Sequence, residues 1–175
     1  MKRFPKDRDK TKKKMTKINR RRRREAKTDY SKRINLLKSE SPRIVFRKTN
    51  RYLIAQYIKS KEAKDSVEFG FNSKILLKYG WPEKASGSLK SVTASYLLGI
   101  LVGKKITDKK KLPILDLGMI RAVHKSRVYA FIRGLVDSGI KIKHKEGIFP
   151  DESRIKGEHL KNKVPFEEIK SKIIK

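Results

Sequence analysis

The sequence predicts an α/β fold with helices packed on a sheet. Three observations predict it. Two short runs rich in β-branched and aromatic residues, 43–48 and 51–58, flank the polar pair Thr49-Asn50, as the arms of a β-hairpin do. A long segment, 88–104, is apolar on nearly every side between 96 and 102, the mark of a helix buried against a sheet. A further helical pattern at 126–137 places Val128, Ile132 and Leu135 on one face and ends at Gly139.

Each element follows in chain order. Thr28 and Asp29 supply an N-cap hydroxyl and a first-turn acid for a helix over 29–38. Tyr30, Ile34 and Leu37 give that helix one face to bury, with Lys32, Arg33 and Lys38 on the others. Pro42 ends it. The hairpin is followed by a polar loop, 59–65, and a third strand over 66–71, which makes an antiparallel meander. A short helical stretch, 73–79, stops at Gly80; Trp81-Pro82 and a polar loop with Gly87 lead to the long helix. Residues 112–117 are a short apolar run ending at Gly118, read as a buried strand, and 140–142 alternates with lysines as a last edge strand. The expected order is β-β-β-α-β-α-β, a mixed sheet of about five strands.

Beyond Pro150 the chain turns polar, then Val164-Pro165-Phe166 opens a terminal helix with Pro near its first position. Glu167 and Glu168 in its first turn and Lys172 and Lys175 in its last complement the helix dipole. Phe166, Ile169 and Ile173 form one face, which must dock on this domain or on a partner. Three parts are therefore expected: a basic arm (1–27), an α/β domain with its leading helix (28–150) and a polar extension ending in a helix (151–175). No internal repeat is present.

Charge decides the class of partner. The 175 residues hold 48 Lys and Arg against 18 Asp and Glu, a net charge of +30. Residues 1–24 alone carry 14 basic and 2 acidic residues. So much like charge repels itself until a polyanion neutralises it, which points to nucleic acid rather than a small acidic molecule. With 37% hydrophobic residues the chain is more than a basic tail. It has no cysteine, which excludes a disulfide framework, a Cys-ligated zinc site and a thiol nucleophile. The longest apolar stretch, 96–102, is broken by Gly99 and too short to cross a bilayer, and the N-terminus lacks a signal-peptide core. A cytoplasmic protein with no cofactor, no small-molecule substrate and no membrane partner is expected.

The arm is the first candidate binding element. Lys12, Lys13 and Lys14, the run Arg20, Arg21, Arg22, Arg23 and Arg24, and Lys27 cannot form a core; they should be disordered alone and contact RNA or DNA. Arg33 on the first helix and Arg43, Arg47, Lys48, Asn50 and Arg51 on the hairpin form a second set. Along the first strand Arg43, Val45 and Arg47 share a face and Ile44 and Phe46 take the other, so one side is core and the other presents guanidinium groups. Tyr30, Tyr52 and Trp81 lie beside basic residues and could stack on unpaired bases, although Tyr30 and Tyr52 also suit core positions and a Trp, even in a loop, usually packs. Lys125, Ser126 and Arg127 open a helix whose free N–H groups favour a phosphate. Arg154, Lys156 and His159 add a third basic segment. His124 and His144 read as surface residues, without ligand spacing.

A family resemblance joins these segments. The pieces are Arg20-Arg-Arg-Arg-Arg-Glu-Ala-Lys-Thr-Asp-Tyr30, Pro42-Arg43, Arg47-Lys48-Thr-Asn50, Ala55-Gln56, Lys78-Tyr-Gly-Trp81 and Ser95-Tyr-Leu-Leu-Gly99. They continue with Ile114-Leu-Asp-Leu-Gly118, Ser126-Arg-Val-Tyr-Ala130, Asp137-Ser-Gly139, Phe149-Pro150 and Arg154-Ile-Lys-Gly-Glu-His159. In this order they resemble the archaeal members of the universal L-eighteen ribosomal family, whose eukaryotic counterpart is called L-five. The resemblance implies a ribonuclease-H-like topology and a place in the central protuberance of the large ribosomal subunit. Its implied partners are 5S rRNA, the large-subunit rRNA and neighbouring ribosomal proteins. The chain departs from the family's pattern at Lys125, where a Gly is usual before Ser-Arg, and at Lys143, where a Pro is usual before the His.

Two other classes fit less well. A nuclease on this topology would need converging carboxylates around metal ions. Asp116 ends the fourth strand, but the first strand offers no acid to meet it, so Asp116 reads as a loop-capping group. A general DNA-binding protein would share the charge but should show a helix-turn-helix or zinc-finger pattern, and none is present.

Overall fold

A computed structural model describes residues 18–62, 64–106, 112–145 and 147–175. Lys12, Lys13 and Lys14 lie outside the described residues. Strands β1 (Arg43–Lys48), β2 (Leu53–Lys61) and β3 (Lys64–Asn72) form the expected antiparallel meander, and β4 (Ile114–Asp116) joins β1 in parallel. The spatial order is β3-β2-β1-β4. Thr49 closes the first turn, its amide donating to the Tyr52 carbonyl at 2.9 Å. The β2–β3 register slips past Glu68, whose carboxylate meets Lys59 at 2.6 Å.

Helix α3 (Val92–Lys105) is buried from Val92 through Gly103, and the Ser91 hydroxyl caps it by accepting from the Ala94 amide. It crosses α4 (Arg127–Asp137) so closely that a Cβ on Gly134 would lie 2.2 Å from the Tyr96 carbonyl oxygen. Ile44, Phe46, Leu53, Leu98, Phe131 and Leu135 fill the space between these helices and the sheet. The other side of α3 packs on residues 73–89 and on α6 (Phe166–Ile174), through Leu76, Trp81, Leu89, Phe166, Ile169 and Ile173. The Lys104 ammonium donates to the Ile174 carbonyl, pinning the end of α6. The terminal helix thus docks on its own domain.

Several expectations are corrected. Residues 140–142 form no strand: among the described residues the sheet has four. The Ile140 amide donates to the Leu135 carbonyl, closing the end of α4, so it is not available to a ladder. A groove of about 800 Å³ separates β4 from the segment 141–145. Residues 73–79 are helical and stop at Gly80 as expected, the helix being of the 3-10 kind and capped by the Asn72 side chain. In α2 (Tyr30–Lys38) the cap is Asp29 rather than Thr28; its carboxylate accepts from the Ser31 and Lys32 amides. No residue of α2 is fully buried: Tyr30 and Leu37 of the expected apolar face are half-buried and Ile34 is 53% exposed, so that face is only partly covered. The arginine run, expected to be disordered, makes one helical turn, α1 (Arg21–Arg24), and a short helix α5 (Glu152–Lys156) breaks the polar extension.

Candidate nucleic-acid interface

β1 separates two basic regions. Its six residues place Arg43 at one end and Lys48 at the other, about 17 Å apart at strand spacing.

At the Lys48 end, three segments distant in sequence converge. The side chains of Lys48, Lys125, Arg127 and Arg154 line a groove of about 560 Å³ whose walls include Phe46, Val92, Ile120 and Val128. Arg121, Met119 and Val123 complete it; the last two are more than half exposed. Sequence reasoning missed these three, because a loop of mixed apolar and basic residues has no periodicity to mark it. The groove runs past the start of α4, where Ser126 is the N-cap but makes no side-chain capping bond. Its hydroxyl oxygen is enclosed and has no partner among the described residues. The first-turn amides of α4 therefore lack side-chain acceptance, which suits an anion. Lys125 is held with φ at +54°, the left-handed region that favours glycine, while its ammonium meets Asp151 at 3.0 Å. Asn50 and Arg51 are exposed at the nearby turn, where Lys90 donates to the Asn50 carbonyl at 2.8 Å.

At the other end Arg43 is fully enclosed and not presented to a ligand, contrary to the strand alternation. Only 1% of it is exposed; it donates to Ser60 at 2.8 Å and to Asp65 at 2.5 Å and lies 3.6 Å from Asp116. Val45 is buried as well, so β1 is covered on both faces. Asp65 also accepts from Arg33 at 2.9 Å. Burial would raise the Asp65 carboxyl, but hydrogen bonds from Ser60, Arg33 and Arg43 and the Arg43 charge hold it below its ordinary value.

Asp116 takes the loop-capping role: one oxygen accepts from the Gly118 amide at 2.8 Å and the other meets Arg47 at 3.3 Å. Arg47 also donates to the Asp116 carbonyl and lies flat over Gly118, so it clamps this loop with its side chain 41% exposed.

The remaining candidates are spread out. Trp81 is buried, 2% exposed, with its indole donating to the Ala85 carbonyl at 3.0 Å, so it is core and not a stacking platform. Tyr52 is partly buried against the same core. The Arg20 guanidinium lies over the Tyr30 ring at 5.1 Å, and Arg22 donates to Thr28 at 2.9 Å. Arg21 and Lys27 face Glu25; Arg23 and Arg24 are exposed. Lys156 lines a separate small cavity beside Tyr96 and Asp137, and His159 is exposed beyond α5. Among the described residues no cluster of three or more His, Asp or Glu could hold a metal ion. No described helix is long and apolar enough to cross a membrane.

The chain is similar to known proteins. Residues 14–114 match the family described as "Ribosomal large subunit proteins 60S L5, and 50S L18". The chain is 45% identical over 149 residues to the large ribosomal subunit protein uL18 of Korarchaeum cryptofilum, a match covering 82% of this chain and 72% of that one. It is 40% identical over 141 residues to the protein of the same name from Methanoregula boonei, covering 80% and 79%. To that of Methanoculleus marisnigri it is 42% identical over 146 residues, covering 83% and 81%.

Proposed function

Because the chain belongs to this ribosomal family of the large subunit, structural proteins and not enzymes, we propose that it binds 5S rRNA and helps anchor it to the large rRNA in the central protuberance. One observation carries the reading: Lys48, Arg121, Lys125, Arg127 and Arg154 converge on one groove at a helix start without a side-chain cap. Phosphates sit at the groove's basic rim and the α4 amides, while Met119 and Val123 offer an apolar surface to an unstacked base. Arg20 to Lys27 follow the RNA backbone, and Lys12 to Lys14 add charge to the same arm. We divide the chain accordingly into an arm (1–27), an RNA-binding domain (28–150) and an extension (151–175) that braces α3. The β3-β2-β1-β4 order with β4 parallel supports the ribonuclease-H-like reading of the sheet.

The test is a gel-shift titration of the full chain with 5S rRNA at several salt concentrations, with excess tRNA and one magnesium lane. Binding that survives tRNA is expected, weakening by about three to five decades between 50 and 200 mM salt if 6–10 phosphates are neutralised. Changing Lys48, Arg127 and Arg154 to Ala should lower the salt slope by about three. Equal binding to tRNA, or to duplex DNA, would reduce the protein to a general polyanion binder.

A further inference from the structure

We propose that Asp65, an acid in a strongly basic chain, is the positioning residue that holds α2 and the arginine run against the sheet for RNA. The inference rests on the RNA-binding reading above.

Three observations lead to it. α2 has no fully buried residue, only half-buried ones such as Leu36 and Leu37, so packing holds it weakly. Among the described residues its side chains make one polar contact distant in sequence, from Arg33 to Asp65 at 2.9 Å. Asp65 is itself immobilised: its other oxygen accepts from the Ser60 hydroxyl at 2.7 Å and from buried Arg43 at 2.5 Å, and Asp116 supports Arg43 from the far side.

The linkage continues upstream. Arg20 stacks on Tyr30 and Arg22 bonds to Thr28, so the arginine run is attached to the start of α2. Sheet, Asp65, Arg33, α2 and the run therefore form one series of contacts. The local acids have other partners: Glu25 pairs with Arg21 and Lys27, and Asp29 caps α2.

Coulomb's law alone says that deleting an acid strengthens binding to a polyanion. Positioning says the opposite. A released arm reaches the same phosphates but must be ordered at each encounter, so affinity falls while the number of phosphates neutralised stays constant.

Asp65→Asn, Asp65→Glu and Arg33→Gln in the full chain test this in two steps. Without RNA, limited trypsin digestion at residues 20–33 should quicken for Asp65→Asn and Arg33→Gln and stay near wild type for Asp65→Glu. With 5S rRNA, the first two should bind roughly fivefold more weakly at an unchanged salt slope. Arg33→Gln leaves the Asp65, Ser60 and Arg43 contacts in place and carries the test if Asp65→Asn fails to fold. Tighter binding and a slope larger by about one for Asp65→Asn would overturn the proposal, since Asp65 would merely withhold Arg33 from phosphate. A slope smaller by about one for Arg33→Gln would also overturn it, by making Arg33 a direct phosphate contact. Unchanged digestion in both variants would show that α2 is held by something else. If wild type fails to prefer 5S rRNA over tRNA, the RNA reading falls, and the digestion still judges the tether.

Discussion

α2 and α3 are fixed to the same sheet by opposite means. Every residue of α3 from Val92 to Gly103 is buried, and it needs no long-range ion pair to stay in place. α2 has no fully buried residue, and one guanidinium–carboxylate contact joins it to the sheet. Apolar burial is non-directional and insensitive to ions, so α3 is a fixed platform. A partly exposed ion pair is weak and screened by salt, so α2 sits where a polyanion can rearrange it. The helix nearest the charged arm is the one whose attachment a ligand can influence.

The comparison can be attacked from its strong side first. Leu98→Ala on α3 removes a fully buried side chain and should lower unfolding free energy by about 2–5 kcal/mol in a denaturant titration. Gly134→Ala, which drives a methyl into the α3 backbone, should cost about 1–3 kcal/mol, read as a fall in thermal midpoint. A mild effect there would mean that the two helices can separate and that α3 is less rigid than its burial implies.

Acid probes the weak side. A carboxyl lowered on folding adds stability above its unfolded pKa, and that contribution is lost as pH falls through the folded value. Asp65 is lowered from an ordinary value of 3.8, so on acidification below about pH 4 the amides of α2 should lose exchange protection well before those of α3. Simultaneous loss would break the distinction between the two helices.

Smaller effects refine it. Lys125→Gly relieves the left-handed backbone before α4 and should add about 1 kcal/mol, offset in part by the exposed pair with Asp151; a lowered thermal midpoint would show that pair to be the stronger term. Ile34→Ser on α2 should change stability by less than about 0.5 kcal/mol, because no core surrounds it.

What the sequence revealed follows the physics that produces periodic signals. The hairpin, α3 and α4 were legible because alternation and helical spacing report which face meets the core. The departure of Lys125 from glycine also had a visible counterpart, since its φ of +54° is where glycine is favoured. Arg43 was misread because alternation says which residues share a face but not what covers that face; Ser60, Asp65 and Asp116 come from other strands. Trp81 was misread because a loop position says nothing about depth. Residues 140–142 alternate as a strand should, yet the end of α4 takes the Ile140 amide locally. The groove at Lys48 was legible only in pieces: Lys125, Ser126 and Arg127 came from helix-start chemistry, whereas Arg121 joined them only in three dimensions.

The docking of α6 on α3 carries a consequence for synthesis. The apolar side of α3 that receives Phe166, Ile169 and Ile173 is translated well before those residues exist. Until they leave the exit tunnel, the nascent chain displays Leu97, Ile100 and Leu101 without their final cover, while its cationic arm is already outside and able to meet RNA. Charge is thus available before the core is complete, and capture of a polyanion can precede the last packing step. Chains that stall before residue 166 would be both adhesive and incompletely folded, the combination that quality control must remove.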